Sequence, residues 1–126
     1  MNAFPGIVVN DGREKFLIHT FKQKFVDETL LPQRILFWNS FQYNPQRLTL
    51  DDAKQLSLYD AHDLFFYNER NKKIYTAVDY GSLIRYMENL EPWEEVDGIL
   101  FDKELNWVLA FTQEDVLLAV GLDHVK

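Results

Sequence analysis

The chain has 126 residues, 47% of them hydrophobic and 15% aromatic, and it contains no cysteine. Twenty acidic side chains against thirteen lysines and arginines leave a net charge of -7. This composition excludes a disordered chain, which lacks apolar residues to bury, and a disulfide scaffold, a cysteine-based zinc centre or a thiol nucleophile. It also excludes the usual electrostatic nucleic-acid binder, which needs a basic excess to neutralise phosphates. The length suits a single domain over residues 1–126, large enough to bury a core without a staple.

Taken in chain order, the first apolar run, Ile7-Val8-Val9, is broken by Asp11-Gly12. Leu17, Ile18, Phe21 and Phe25 then recur at helical spacing, which predicts a helix over about 12–27. After Pro32, the mixed aromatic and aliphatic run Arg34 to Phe41 suits a buried strand, and Asn44-Pro45 signals a turn. Thr49-Leu50-Asp51-Asp52 has the form of a capping box and predicts a short helix over about 50–58. Two β-hairpins follow. Leu64 to Tyr67 and Ile74 to Ala77 flank one polar loop, and Ile99 to Phe101 and Trp107 to Phe111 flank another. Between them Asp79 is suited to cap a helix over about 80–90, whose Leu83, Ile84, Met87 and Leu90 form one apolar stripe, and Pro92 stops it. A last strand, Val116 to Val120, ends at Gly121. Helices interspersed with adjacent hairpins predict an α+β domain, with a mainly antiparallel sheet of five to six strands and three helices packed on it.

The charge is unevenly spread. Residues 1–86 hold ten acidic and eleven basic side chains, whereas residues 87–126 hold ten acidic ones against Lys103 and Lys126 alone. The densest run is Glu88, Glu91, Glu94, Glu95 and Asp97, followed by Asp102 and Glu104 at the second hairpin turn. One reading is a solvated face that aids solubility. The other is a docking surface for a basic protein, because a single-sign patch accelerates association with its complement. Trp93 sits between Pro92 and Glu94-Glu95 as an aromatic side chain among acids, the composition of an interface anchor. Trp38 and Trp107 fall in strand runs and are expected in the core.

Catalytic patterns are absent from the sequence. His19, His62 and His124 show no metal-ligand spacing, and His62-Asp63 is a poor dyad because adjacent side chains on a strand diverge. Ser40, Ser57 and Ser82 lie outside any nucleophile elbow, the five glycines form no phosphate-binding loop, and no EF-hand loop occurs. No catalytic residue, metal site or cofactor is expected. The start of the chain lacks a basic head, and the longest apolar runs are strand-sized, so the expectation is a cytoplasmic protein without a membrane partner.

The segment from His62 to Gly121 resembles small bacterial immunity proteins encoded beside polymorphic or contact-dependent growth inhibition toxins. The likeness rests on Asp63-Leu-Phe-Phe-Tyr-Asn, Ile74-Tyr-Thr-Ala-Val-Asp-Tyr-Gly and Trp93-Glu-Glu-Val-Asp-Gly-Ile-Leu-Phe-Asp, continuing through Trp107 to Thr112-Gln-Glu-Asp. It is one of style, acidic, aromatic-rich and cysteine-free, and it covers about half of the chain. The resemblance implies a protein that catalyses nothing and neutralises a cognate toxin domain, typically a nuclease, by occupying its basic groove; a monomer is expected ahead of an oligomer. Glu88, Glu91, Glu94, Glu95, Asp97, Asp102 and Glu104 would supply charge and Trp93 the anchor. The alternatives are a regulatory or structural interaction module, or a small enzyme built on carboxylates and His62.

Overall fold

The computed structural model describes residues 4, 6–25, 46–56, 58, 63–69, 72–76, 78–90, 96–112 and 117–121. In chain order these form β1 (Ile7–Val8), α1 (Arg13–Phe25), β2 (Gln46–Leu48), α2 (Leu50–Lys54), β3 (Leu64–Asn68), β4 (Lys73–Thr76), α3 (Tyr80–Glu88), β5 (Gly98–Asp102), β6 (Val108–Phe111) and β7 (Leu117–Val120). The strands make one seven-stranded sheet in the order β1-β4-β3-β5-β6-β7-β2, and every neighbouring pair is antiparallel. The α+β class and the two hairpins are as expected, and the sheet is wider than predicted because β1 and β2 add to its edges. The expected strand over Arg34 to Phe41 lies outside the described residues.

Strand geometry divides the core in two. Successive side chains on a strand point to opposite faces, and the central strands bury both sets. Leu64, Phe66, Leu100, Leu109, Phe111, Leu117 and Ala119 join Ala53 of α2 and Tyr80, Leu83 and Ile84 of α3 in one cluster, with Trp107 among them. Phe65, Tyr67, Ile99, Phe101, Val108, Ala110 and Leu118 join Leu17, Phe21 and Phe25 of α1 in the other. The sheet is therefore a middle layer, with α1 on one face and α2 and α3 on the other. Burial on both faces explains why β3, β5 and β6 read as unbroken apolar runs instead of alternating ones.

The helix ends follow local chemistry. Thr49 accepts from the Asp52 N–H at 3.1 Å while the Asp52 carboxylate accepts from the Thr49 N–H at 3.0 Å, the reciprocal capping box. Asp79 accepts from the Ser82 N–H at 2.9 Å and opens α3. The sheet has two ends. Asn68, Lys73, Phe111, Leu117 and Leu48 gather at the Gly98 end of β5, and Leu64, Val108, Val120 and Gln46 at the Asp102 end.

Candidate functional site

The acidic residues read as one surface do not share one environment. Glu88, in the last turn of α3, is exposed and pairs with Lys54 of α2 at 2.5 Å; Lys54 also lies 3.6 Å from Asp51. The hydrogen bond that Lys54 donates to the Glu88 carboxylate raises the Lys54 pKa above its ordinary value. Asp102 and Glu104 stand at the β5–β6 turn, at the opposite end of the sheet from Gly98. Asp102 accepts from the Asn106 N–H at 3.2 Å, and Glu104 accepts from Asn106 Nδ2 at 3.2 Å. Lys24 of α1 reaches this turn and donates to the carbonyls of Glu104 and Leu105, each at 3.1 Å. The turn is thus tied to the α1 layer, whereas Glu88 belongs to the α2–α3 layer. Glu91, Trp93, Glu94 and Glu95 lie outside the described residues, as do His62, His124 and Trp38.

Asp97 requires a correction. Expected on the acidic surface, it is fully buried, with 0% relative exposure. Its carbonyl accepts from the Glu69 N–H at 2.9 Å, which extends the β3–β5 ladder by one step beyond Asn68 and Gly98. Glu69 is buried beside it. The pair forms an acidic corner beneath the sheet end, not a docking charge. Strand pairing, invisible in local sequence, draws Asp97 inward.

A groove that the sequence did not flag lies beside this corner. The flank of α1 carrying Glu14, Lys15, Ile18, His19 and Lys22 faces Tyr67, Lys72 and Ile74 across a cavity of about 430 Å3. Ile74 and Tyr67 are buried and form its floor, and Lys15, His19 and Lys72 are exposed at its rim. Burial first, and the Glu69 charge second, push the Tyr67 phenol pKa up, so its hydroxyl keeps its proton. Lys72 holds φ = 58°, and its N–H donates to Asn68 at 2.8 Å. The signal that could have revealed the helical half was Lys15, His19 and Lys22, at a spacing of four and three, on one flank of the helix.

Among the described residues, no group of three or more histidines and carboxylates is placed to hold a metal ion, and no helix is long and apolar enough to cross a membrane. Trp107 is buried in the core as expected, and His19 is exposed on α1. No protein-family model, curated protein or solved structure matches the chain.

Proposed function

We propose that the chain is an immunity protein that binds and neutralises a cognate toxin domain, a nuclease, in the cytoplasm of the producing cell. The supporting observation is the segregation of charge, with ten acidic side chains and two basic ones after residue 86. A nuclease groove that attracts phosphate attracts carboxylates by the same field. Glu88, Glu91, Glu94, Glu95, Asp102 and Glu104 supply the charge in this reading, and Trp93 supplies apolar contact area. Asp97 is left out because it is buried. The protein acts as a stoichiometric inhibitor, without a reaction of its own.

The test pairs the chain with the toxin domain encoded immediately upstream and follows association by stopped-flow fluorescence across a salt series. The expected result is a salt-sensitive complex whose on-rate falls about tenfold or more when Glu94 and Glu95 are both changed to Lys. An on-rate indifferent to both salt and charge reversal would overturn the acidic-surface mechanism. A second reading, an interaction module without a toxin partner, is favoured by the exposed apolar side chains Ile7 (65%), Val8 (39%) and Phe16 (70%) on edge strand β1 and helix α1. A sedimentation profile showing only monomer would remove self-association from that reading.

A further inference from the structure

A second groove lies at the Gly98 end of the sheet, on the face that carries α2 and α3. Phe111 and Leu117, both buried, form its floor. Its walls are Leu50 at the start of α2, Met87 in the last turn of α3, Leu90 just beyond it and Val96 ahead of β5. Each wall residue is only partly buried, so apolar surface stays open around a cavity of about 170 Å3. An apolar cavity of roughly 150 Å3 takes a benzene molecule, so this one has room for a single phenyl-sized side chain. The setting is acidic. Two stretches of chain begin and end on lining residues: 90–96 carries Glu91, Glu94 and Glu95, and 112–117 carries Glu114 and Asp115, with no basic residue in either. Each of these five acids stands within two residues of a lining residue along the chain, a reach of about 8 Å. Together with β2, α2, α3 and the Asp79 cap, the surroundings hold nine acidic side chains against Arg47, Lys54 and Arg85. Lys54 is itself engaged with Glu88 and Asp51. Lys72 and Lys73, also at this end of the sheet, stand by β4, three strand spacings from β6 and so about 14 Å away.

We infer that this groove receives one apolar side chain, of phenylalanine or leucine size, from a basic protein surface. An apolar pocket ringed by charge has the anatomy of an interface centre. The acidic surroundings select a partner whose lysines and arginines flank the inserted side chain, and they act at long range, on the rate of encounter. The groove acts at contact, where burial of that side chain slows dissociation of the complex once formed. That the partner is a toxin domain rests on the proposed immunity function. The preference of the groove for an apolar side chain among basic ones does not.

Two measurements on the full chain test this. In the first, the toxin domain encoded immediately upstream is mixed with the wild type and, separately, with Leu90→Phe and Val96→Phe, which fill the groove from different walls and whose folding is checked by thermal unfolding. Each variant is expected to raise the dissociation rate about tenfold or more and to leave the association rate within about twofold, the reverse of charge reversal at Glu94 and Glu95. In the second, the wild type is titrated with a pentapeptide of phenylalanine between two pairs of lysines, followed by amide chemical shifts. Controls carry alanine at the centre, or glutamates in place of the lysines. Only the first peptide is expected to shift Leu50, Met87, Leu90 and Thr112 to saturation. A salt-sensitive complex whose dissociation is unchanged in both variants overturns the inference and leaves the immunity function standing. No complex with the toxin domain overturns that function, and the peptides then decide the groove by themselves. The expected peptide pattern upholds it, and equal shifts from the alanine peptide, or none from any, overturn it. Binding of the peptide only after Trp93→Ala would mean that the chain's own tryptophan fills the groove, which overturns the inference as well.

Discussion

Gly98 has no room for a side chain. A Cβ added there would run into the Phe66 ring and lie 3.0 Å from the Tyr67 carbonyl. The position faces the α2–α3 layer, opposite Asn68, and Phe66 closes over it from the neighbouring strand. Phe66 is itself fully buried, so its ring has little freedom to yield in a close-packed interior. Gly98→Ala is therefore expected to destabilise the fold by about 1–3 kcal/mol. Urea denaturation is the measurement, with a lowered midpoint at unchanged slope; an unchanged midpoint would show that Phe66 can move aside. The register also bears on Asp97. Gly98 pairs with Asn68, and one step further along the same pairing the Asp97 carbonyl meets the Glu69 N–H. An acid three residues after Glu94 reads as surface in the sequence, and only the pairing of β5 with β3 makes it core.

At the scale of elements, α2 shows how five residues hold a helix in place. A helix that short does not persist on its own, because nucleation costs more than so few hydrogen bonds return. Here the capping box fixes its first turn, and Tyr80 of α3, 1% exposed, donates from its hydroxyl to the Ala53 carbonyl at 2.6 Å and fixes its last. Thr49→Ala is expected to cost about 0.5–2 kcal/mol and Tyr80→Phe, which removes the hydroxyl donor but leaves the Leu56 N–H on the Ala53 carbonyl, about 0.5–1.5 kcal/mol. The two should not add, since a helix already loosened at one end has less to lose at the other. A double-mutant cycle in chemical denaturation checks this, and full additivity would mean that the two ends act independently. The capping box, the Asp79 cap and both hairpins were legible because each is written within a few residues. The edge strands were not. Gln46-Arg47-Leu48 carries no β-preferring pattern and becomes β2 only because β7 offers it a ladder. Ile7-Val8 is β-prone but too short to predict, and β4 recruits it.

Over the whole molecule, one sheet serves two cores, and this sets both its charge layout and its cooperativity. The local part of the charge pattern could be read from sequence, because the acidic excess is contiguous. The groove between α1 and the β3–β4 hairpin could not, because Lys72 meets Lys15 and Lys22 only after α1 is laid across the sheet. The two clusters share no side chain, yet they share every central strand. Phe65 and Phe66, neighbours in β3, belong to opposite cores, as do Ile99 and Leu100 in β5. Neither core can lose its packing without disturbing the strands that form the other, so the domain is expected to unfold in a single transition. Phe21→Leu removes volume from the α1 side, and Ile84→Val from the α3 side; each is expected to cost about 0.5–1.5 kcal/mol. The two sites lie in layers separated by the sheet and share no partner, so their effects should add to within about 0.5 kcal/mol. The buried Trp107 lies on the α3 side, and a background in which Trp38 and Trp93 are changed to Phe makes it the sole tryptophan and gives the experiment local resolution. Urea transitions followed by tryptophan fluorescence and by far-ultraviolet circular dichroism should coincide in that background and in both variants built on it. If Phe21→Leu separated the two curves, with backbone signal lost before fluorescence, the α1 layer would be melting by itself. The sheet would then support two independently stable halves instead of one cooperative domain.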